Sequence, residues 1–271
     1  MMTARRPALL DLVDPTRISR ALHEGDGRGV RIAVIDSGVD GQHPAIAKRV
    51  RAQYDVVTDR FGMRCVPGSL IDSIGHGTAT AGIVAQIAPA AEIESIRVIG
   101  ASAHGTPDQL MAGLSFALEQ RFDVINMSLG TTDDRAWRRL SALADRAFYE
   151  GRIIVAAANN YGIAALPAQL SSVLAVDMAA FSDPETLRYR WDLPIELEAK
   201  GIYVEAPAMG GGTQLFTGTS FACPHVSGLV ARLVSAFPGL TAFEARAMLA
   251  MISEMAGEAT PEAPSRDTSA G

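Results

Sequence analysis

The nine residues VRIAVIDSG, positions 30–38, decide the fold. Apart from Arg31 the run from Val30 to Ile35 is apolar on successive positions, so both faces of an extended strand would be greasy. A half-exposed strand alternates; a strand buried on both faces does not. The run ends on an acid, Asp36, and a Ser-Gly turn. Runs of the same kind lie further along: IESIRVI (93–99), DVINMSL (123–129), RIIVAAA (152–158) and SVLAVDM (172–178). Between them lie helix-like stretches at 78–86, 107–120 and 133–150, with Asp133 as an N-cap and Pro107 near a first helical position after Thr106. Strands alternating with helices read as βαβ units, so the expected class is α/β, with a doubly wound, mostly parallel sheet flanked by helices. After Gly218 a long helix rich in small residues is expected over 219–236. Pro238-Gly239 stops it, and a last helix follows over 241–255. Residues 1–256 read as a single domain and 257–271 as a disordered tail.

Composition excludes whole classes of function. The chain has 271 residues, 48% hydrophobic and 20% charged, which rules out a largely disordered protein. Its 24 Lys and Arg against 30 Asp and Glu leave a net charge of −6, so neither nucleic acid nor anionic lipid is an expected partner. Two cysteines make no disulfide framework, and with five scattered histidines they make no structural zinc site. No window approaches the roughly 18 apolar residues of a membrane span. The start, MMTARRPALLDLVD, has a short apolar stretch broken by Asp11 and Asp14, unlike a secretory signal. The expected compartment is the cytoplasm, or the exterior if the chain is a processed mature form. Oligomeric state is not legible.

Candidate chemistry sits at four places. Asp36 ends a strand, where sites form in open α/β sheets, although an Asp there can also cap the next loop. His76, in Gly75-His76-Gly77-Thr78, is flanked by small residues that let a ring face a cleft, or is simply a satisfied loop histidine. Ser220 opens an apolar helix, as a nucleophile or as an ordinary N-cap. Asn159 and Asn160 end the strand-like 152–158, where an amide can donate to an oxyanion or close a turn. His43 and His225 read as structural.

Taken together, the order Asp, His, Ser is subtilisin's version of the serine triad. The words IAVIDSGVDGQHP around Asp36, GHGTATAGIVA around His76, DVINMSLG (123–130), VAAANN (155–160) and GTSFACPHVSG around Ser220 make the chain resemble the subtilases, over about residues 30–236. The resemblance implies a subtilisin-like fold and a serine endopeptidase acting on a peptide or protein. It implies Ser220 as nucleophile, His76 as general base and then acid, Asp36 as its orienting carboxylate, and Asn160 in the oxyanion hole. It also implies substrate contacts at Ser128, Leu129, Gly130, Ala157, Ala158, Asn159 and Ala165, and at His104 within 103–105.

Three departures from the family pattern carry expectations. Asn159 stands where a glycine is usual before the oxyanion Asn, which adds an amide to one wall of the pocket for the P1 side chain. The stretch GIVAQIAPAAEI runs on without the calcium-holding loop, and Ala45 replaces a calcium-ligating Asp, so no metal or other cofactor is expected. Only about 35 residues precede Asp36, so the expectation is either that a pro-region was lost on maturation or that the chain folds without one, as an enzyme acting on a dedicated precursor or leader peptide would. The alternative from another class is a catalytically silent, peptide-binding pseudo-protease.

Overall fold

A computed structural model of the chain describes residues 14–60, 62–100, 102 and 104–258. Residues 259–271, most of the expected tail, lie outside these, as do residues 1–13.

The five apolar runs all form strands. They are β1 (Arg31–Asp36), β4 (Glu92–Arg97), β5 (Val124–Met127), β6 (Ile153–Ala157) and β7 (Leu174–Ala179). Four more complete the sheet: β2 (Val50–Asp59), β3 (Gly62–Gly68), β8 (Leu187–Tyr189) and β9 (Leu197–Lys200). Their order is β3-β2-β4-β1-β5-β6-β7-β9-β8. The inner pairs are parallel, and only the edge strands β3 and β8 run antiparallel to their neighbours.

Side chains of β1 alternate between two cores. Ile32 and Val34 join the cluster under the helices α1 (Pro15–Glu24), α2 (His76–Ile87), α5 (Thr219–Ala236) and α6 (Ala242–Glu258). Ala33 and Ile35 join the cluster under α3 (Pro107–Glu119) and α4 (Trp137–Tyr149). Burial on both faces explains why the strand shows no polar alternation. β1 also lies between β4 and β5, where the chain reverses its direction of travel across the sheet. In such sheets the crevice at the strands' carboxyl ends opens at that reversal.

Local signals set the helix ends. Thr106 and Gln109 form a reciprocal capping box at the start of α3. The expected helix over 133–150 begins instead with a 3₁₀ turn (Asp134–Ala136), because the Asp133 carboxylate bonds Arg135 N and its guanidinium. α6 runs to Glu258, two residues into the segment expected to be disordered. The hairpin of β10 (Val204–Pro207) and β11 (Thr213–Phe216) stands apart from the main sheet. Among the described residues no helix is long and apolar enough to cross a membrane.

Candidate active site

The carboxyl end of β1 delivers Asp36 into full burial. Its Oδ1 accepts from Ser37 N at 2.8 Å and lies 2.7 Å from His76 Nδ1, while Oδ2 accepts from Thr80 Oγ1 at 3.3 Å. An ionised carboxylate only accepts, so Nδ1 carries the hydrogen and Nε2 keeps its lone pair. His76 opens α2 between two glycines with different duties. Gly75 adopts φ 91°, and a Cβ on Gly77 would sit 2.1 Å from Gly38 O. The helix start can therefore touch the turn after Asp36 only without a side chain there.

Burial works against a charged His76 ring, but the charge and hydrogen bond of Asp36, with a smaller contribution from Asp72, outweigh it and raise the pKa. The site is thus tuned to take up a proton at His76.

Ser220 is the second residue of α5, whose first N–H groups have no partner within the helix. Asn160, from the turn after β6, is oriented by this helix start. Its Oδ1 accepts from Thr219 N at 2.9 Å and lies 3.1 Å from Thr219 Oγ1, which also donates to Ala158 O at 2.6 Å. An N–H can only meet the amide's oxygen, so the Asn160 amino group is left as the free donor.

His76, Asn160 and Ser220 line one cleft of about 570 Å³. Ser128, Leu129 and Gly130 line it as well, as do Ala157, Ala158, Asn159 and Ala165. Among the described residues no Asp, Glu, Lys or Arg does. Gly130 is required at its position, since a Cβ would sit 2.6 Å from Leu166 O.

His104 departs from expectation. It is exposed and is not part of the cleft lining; its neighbour Gly105 reaches only a smaller hollow beside Leu129 and Gly130. A loop residue's direction depends on chain packing that its neighbours in sequence do not reveal. Residue 103 lies outside the described residues. Asn159 lines the cleft, but its Oδ1 accepts from Tyr161 N at 2.9 Å, which braces the turn. Ser37 and Thr219, next to Asp36 and Ser220, line the cleft too, and Ile74, Ile99, Thr131, Thr132 and Tyr161 do so without any signal in the sequence.

His43 and His225 are structural. His43, 3% exposed, accepts from Ala45 N at Nδ1 and so donates from Nε2 to Gly212 O at 2.8 Å. His225, 2% exposed, donates from Nδ1 to Phe221 O, and burial pushes its pKa from 6.5 down to about 4. An unfolded chain takes up a proton on this residue at the higher pH, so between the two values the unfolded state binds more protons. The stabilisation is present above 6.5 and is lost as pH falls toward 4, by about 3 kcal/mol. Urea unfolding of wild type and His225→Gln at neutral and acidic pH checks this. The variant is expected to start less stable but to lose less on acidification; identical pH slopes would count against it.

Among the described residues no group of three or more His, Cys, Asp or Glu is arranged to hold a metal.

Comparison with known proteins points one way. The model of the subtilase family matches residues 27–266. Subtilisin E of Bacillus subtilis (strain 168) is 30% identical over 239 residues, covering 81% of this chain and 59% of its own. An intracellular serine protease of Paenibacillus polymyxa is 30% identical over 221 residues, covering 76% and 66%. The solved structure of a cold adapted subtilisin-like serine proteinase superposes with a TM-score of 0.71 at 28% identity, covering 84% of this chain and 83% of that one. The chain spans about 59% of the length of subtilisin E.

Proposed function

This chain belongs to the subtilase family, and from that premise we propose that it is a serine endopeptidase built on Ser220, His76 and Asp36. The observation that carries the reading is the short Asp36–His76 bond facing one cleft with Ser220 and the free amino group of Asn160.

A serine hydroxyl is a weak nucleophile near neutral pH, so attack needs a base. His76 Nε2 takes the Ser220 proton as Oγ bonds to the scissile carbonyl carbon. The carbonyl oxygen becomes an anion, and Ser220 N–H and Asn160 Nδ2–H donate to it. His76 then hands its proton to the leaving amine, and the C–N bond breaks to leave an acyl-enzyme. Water, deprotonated by the same imidazole, releases the acid. Asp36 holds the ring's tautomer and stabilises its charge throughout. Leu129 and Gly130 offer an edge for an extended peptide. The silent peptide-binding alternative draws support from nothing in the site.

Labelling by a fluorophosphonate probe tests the reading, because the probe needs an activated serine. Labelling of wild type and none of Ser220→Ala is expected; an unlabelled wild type would sink it.

The P1 pocket carries a finer expectation. With Asn159 Oδ1 committed to Tyr161, a large apolar P1 side chain would bury the remaining amide N–H groups unpaired, at about 1–3 kcal/mol. That is roughly ten- to a hundredfold in kcat/KM, favouring small or polar P1 residues over Phe or Leu. Asn159→Gly is expected to relax the preference. If Phe leads the P1 series in both proteins, Asn159 does not shape the pocket.

The narrower reading, a dedicated precursor or leader peptide, is tested by mass spectrometry of products from a peptide library. One dominant motif supports it; broad cleavage sinks it. We place the activity in the cytoplasm, which the unjoined cysteines Cys65 and Cys223 support.

A further inference from the structure

Asp72 takes no part in the chemistry above, yet it is 6% exposed and accepts more hydrogen bonds than any group in the proposed triad. Its Oδ1 accepts from Ser37 Oγ at 2.9 Å, Ile74 N at 3.0 Å and Gly75 N at 2.9 Å. Its Oδ2 accepts from Thr78 N at 2.9 Å and Thr78 Oγ1 at 2.7 Å. These donors belong to two places. Ser37 follows Asp36 at the end of β1, whereas Gly75 and Thr78 flank His76 at the start of α2. Ser37 Oγ in turn accepts from Gly77 N at 2.9 Å, and Thr78 Oγ1 accepts from Asp40 N at 2.9 Å. Gly75, the residue before the helix, has no side chain with which to cap it, so donors of the first turn are met by Asp72 and Ser37.

We propose that Asp72 is a positioning residue for peptide hydrolysis: one buried carboxylate clamps the strand end bearing Asp36 to the helix start bearing His76, and its charge favours the imidazolium formed as Ser220 attacks. The proposal rests on the endopeptidase reading and deepens it. An isolated buried carboxylate would be costly, but five donors and the positive end of α2 hold this one in place. Geometry explains why a clamp matters here. The 2.7 Å bond from Asp36 to His76 joins groups 40 residues apart, on two elements whose facing ends Asp72 and Ser37 tie together. An error of about 1 Å in such an arrangement can cost on the order of a hundredfold in rate.

The charged groups facing His76 are Asp36 from β1 and Asp72 from the loop before α2. From α5 the ring meets the uncharged Phe221, at 5.2 Å between centroids, and the hairpin of β10 and β11 brings the uncharged Met209 against Gly75. Removing the Asp72 charge therefore lowers the His76 pKa, since one of two negative neighbours is gone.

The test uses Asp72→Asn and Ser37→Ala, each with kcat expressed per fluorophosphonate-labelled site so that a smaller folded fraction does not count as lost catalysis. Asp72→Asn is expected to lose about ten- to a hundredfold in kcat with KM little changed. Its acidic limb of kcat/KM, and the His76 imidazole titration followed by NMR, are expected to move to lower pH. Ser37→Ala removes the bridge and keeps the charge, so kcat falls by a smaller factor and the imidazole titration stays in place. The proposal is overturned if Asp72→Asn retains kcat within about twofold and its imidazole titration superimposes on wild type. Should Asp72→Asn fail to fold, an unchanged kcat per labelled site in Ser37→Ala overturns the clamp. Should wild type itself resist the probe, the endopeptidase reading fails, and the imidazole titration in Asp72→Asn still decides whether Asp72 acts on His76.

Discussion

Ser220→Ala is expected to lower kcat by about 10⁶ while leaving KM within a small factor, the scale being that of the equivalent loss in subtilisin. The physical reason is the absence of a substitute nucleophile. Among the described residues lining the cleft, the hydroxyls of Ser37, Ser128, Thr131, Thr132, Tyr161 and Thr219 are the other candidates. Ser37 donates to Asp72, Ser128 accepts from the Asn126 amide, and Thr219 donates to Ala158 O. Each of these three hydroxyls already has another partner, and none of the three is bonded to the His76 imidazole. The lost hydroxyl removes no contact that Asp36, Asn160 or the cleft walls need, so substrate still binds. Steady-state hydrolysis of a chromogenic peptide, with protein checked by thermal melting, measures the effect. Wild-type turnover in Ser220→Ala would overturn the assignment of the nucleophile.

Asn160→Ala is expected to lose about 10² to 10³ in kcat, the cost of removing one donor from an oxyanion hole in the subtilisin example. The structure makes a second variant informative. Asn160 uses Oδ1 to accept from Thr219 N, so alanine removes both that bond and the free amino group. Asn160→Asp keeps the acceptor for Thr219 and replaces the donor with an oxygen that repels the developing anion. If donation to the oxyanion is the role, Asn160→Asp loses at least as much as Asn160→Ala although its turn stays intact. If the turn is all that matters, Asn160→Asp retains activity, and that result would remove Asn160 from the chemistry.

Much of this site is legible locally because its parts sit where local signals are strong. Asp36 follows an apolar strand, His76 lies between glycines before an Ala-rich helix, and Ser220 starts an apolar helix. The strands β2, β3, β8 and β9 carry weaker signals. In β2, VRAQYDVVTD mixes buried, half-buried and exposed positions, because an outer strand is covered unevenly and its pattern fits neither template cleanly. The sequence places His104 in the cleft and the structure does not, because a loop side chain's direction follows from what the loop packs on. Asp72 stands in plain view in IDSIGHGT, but nothing in that word says that Ser37 lies within reach.

The sequence by itself determined the fold class, the family and the residues proposed as the triad. Burial on both faces of a parallel sheet writes itself as unbroken apolar runs, and a nucleophile, its base and their flanking glycines are short-range words. Only the tertiary structure decided which way each polar group faces. The tautomer of His76 follows from Asp36, the orientation of the Asn160 amide from Thr219 N, and the occupation of Asn159 Oδ1 from Tyr161 N. The Asp72 clamp, too, exists only because β1 and α2 meet. Hydrogen bonds are directional and act over about 3 Å, so where a donor comes from a distant part of the chain its acceptor's role is set by packing rather than by neighbours in the chain.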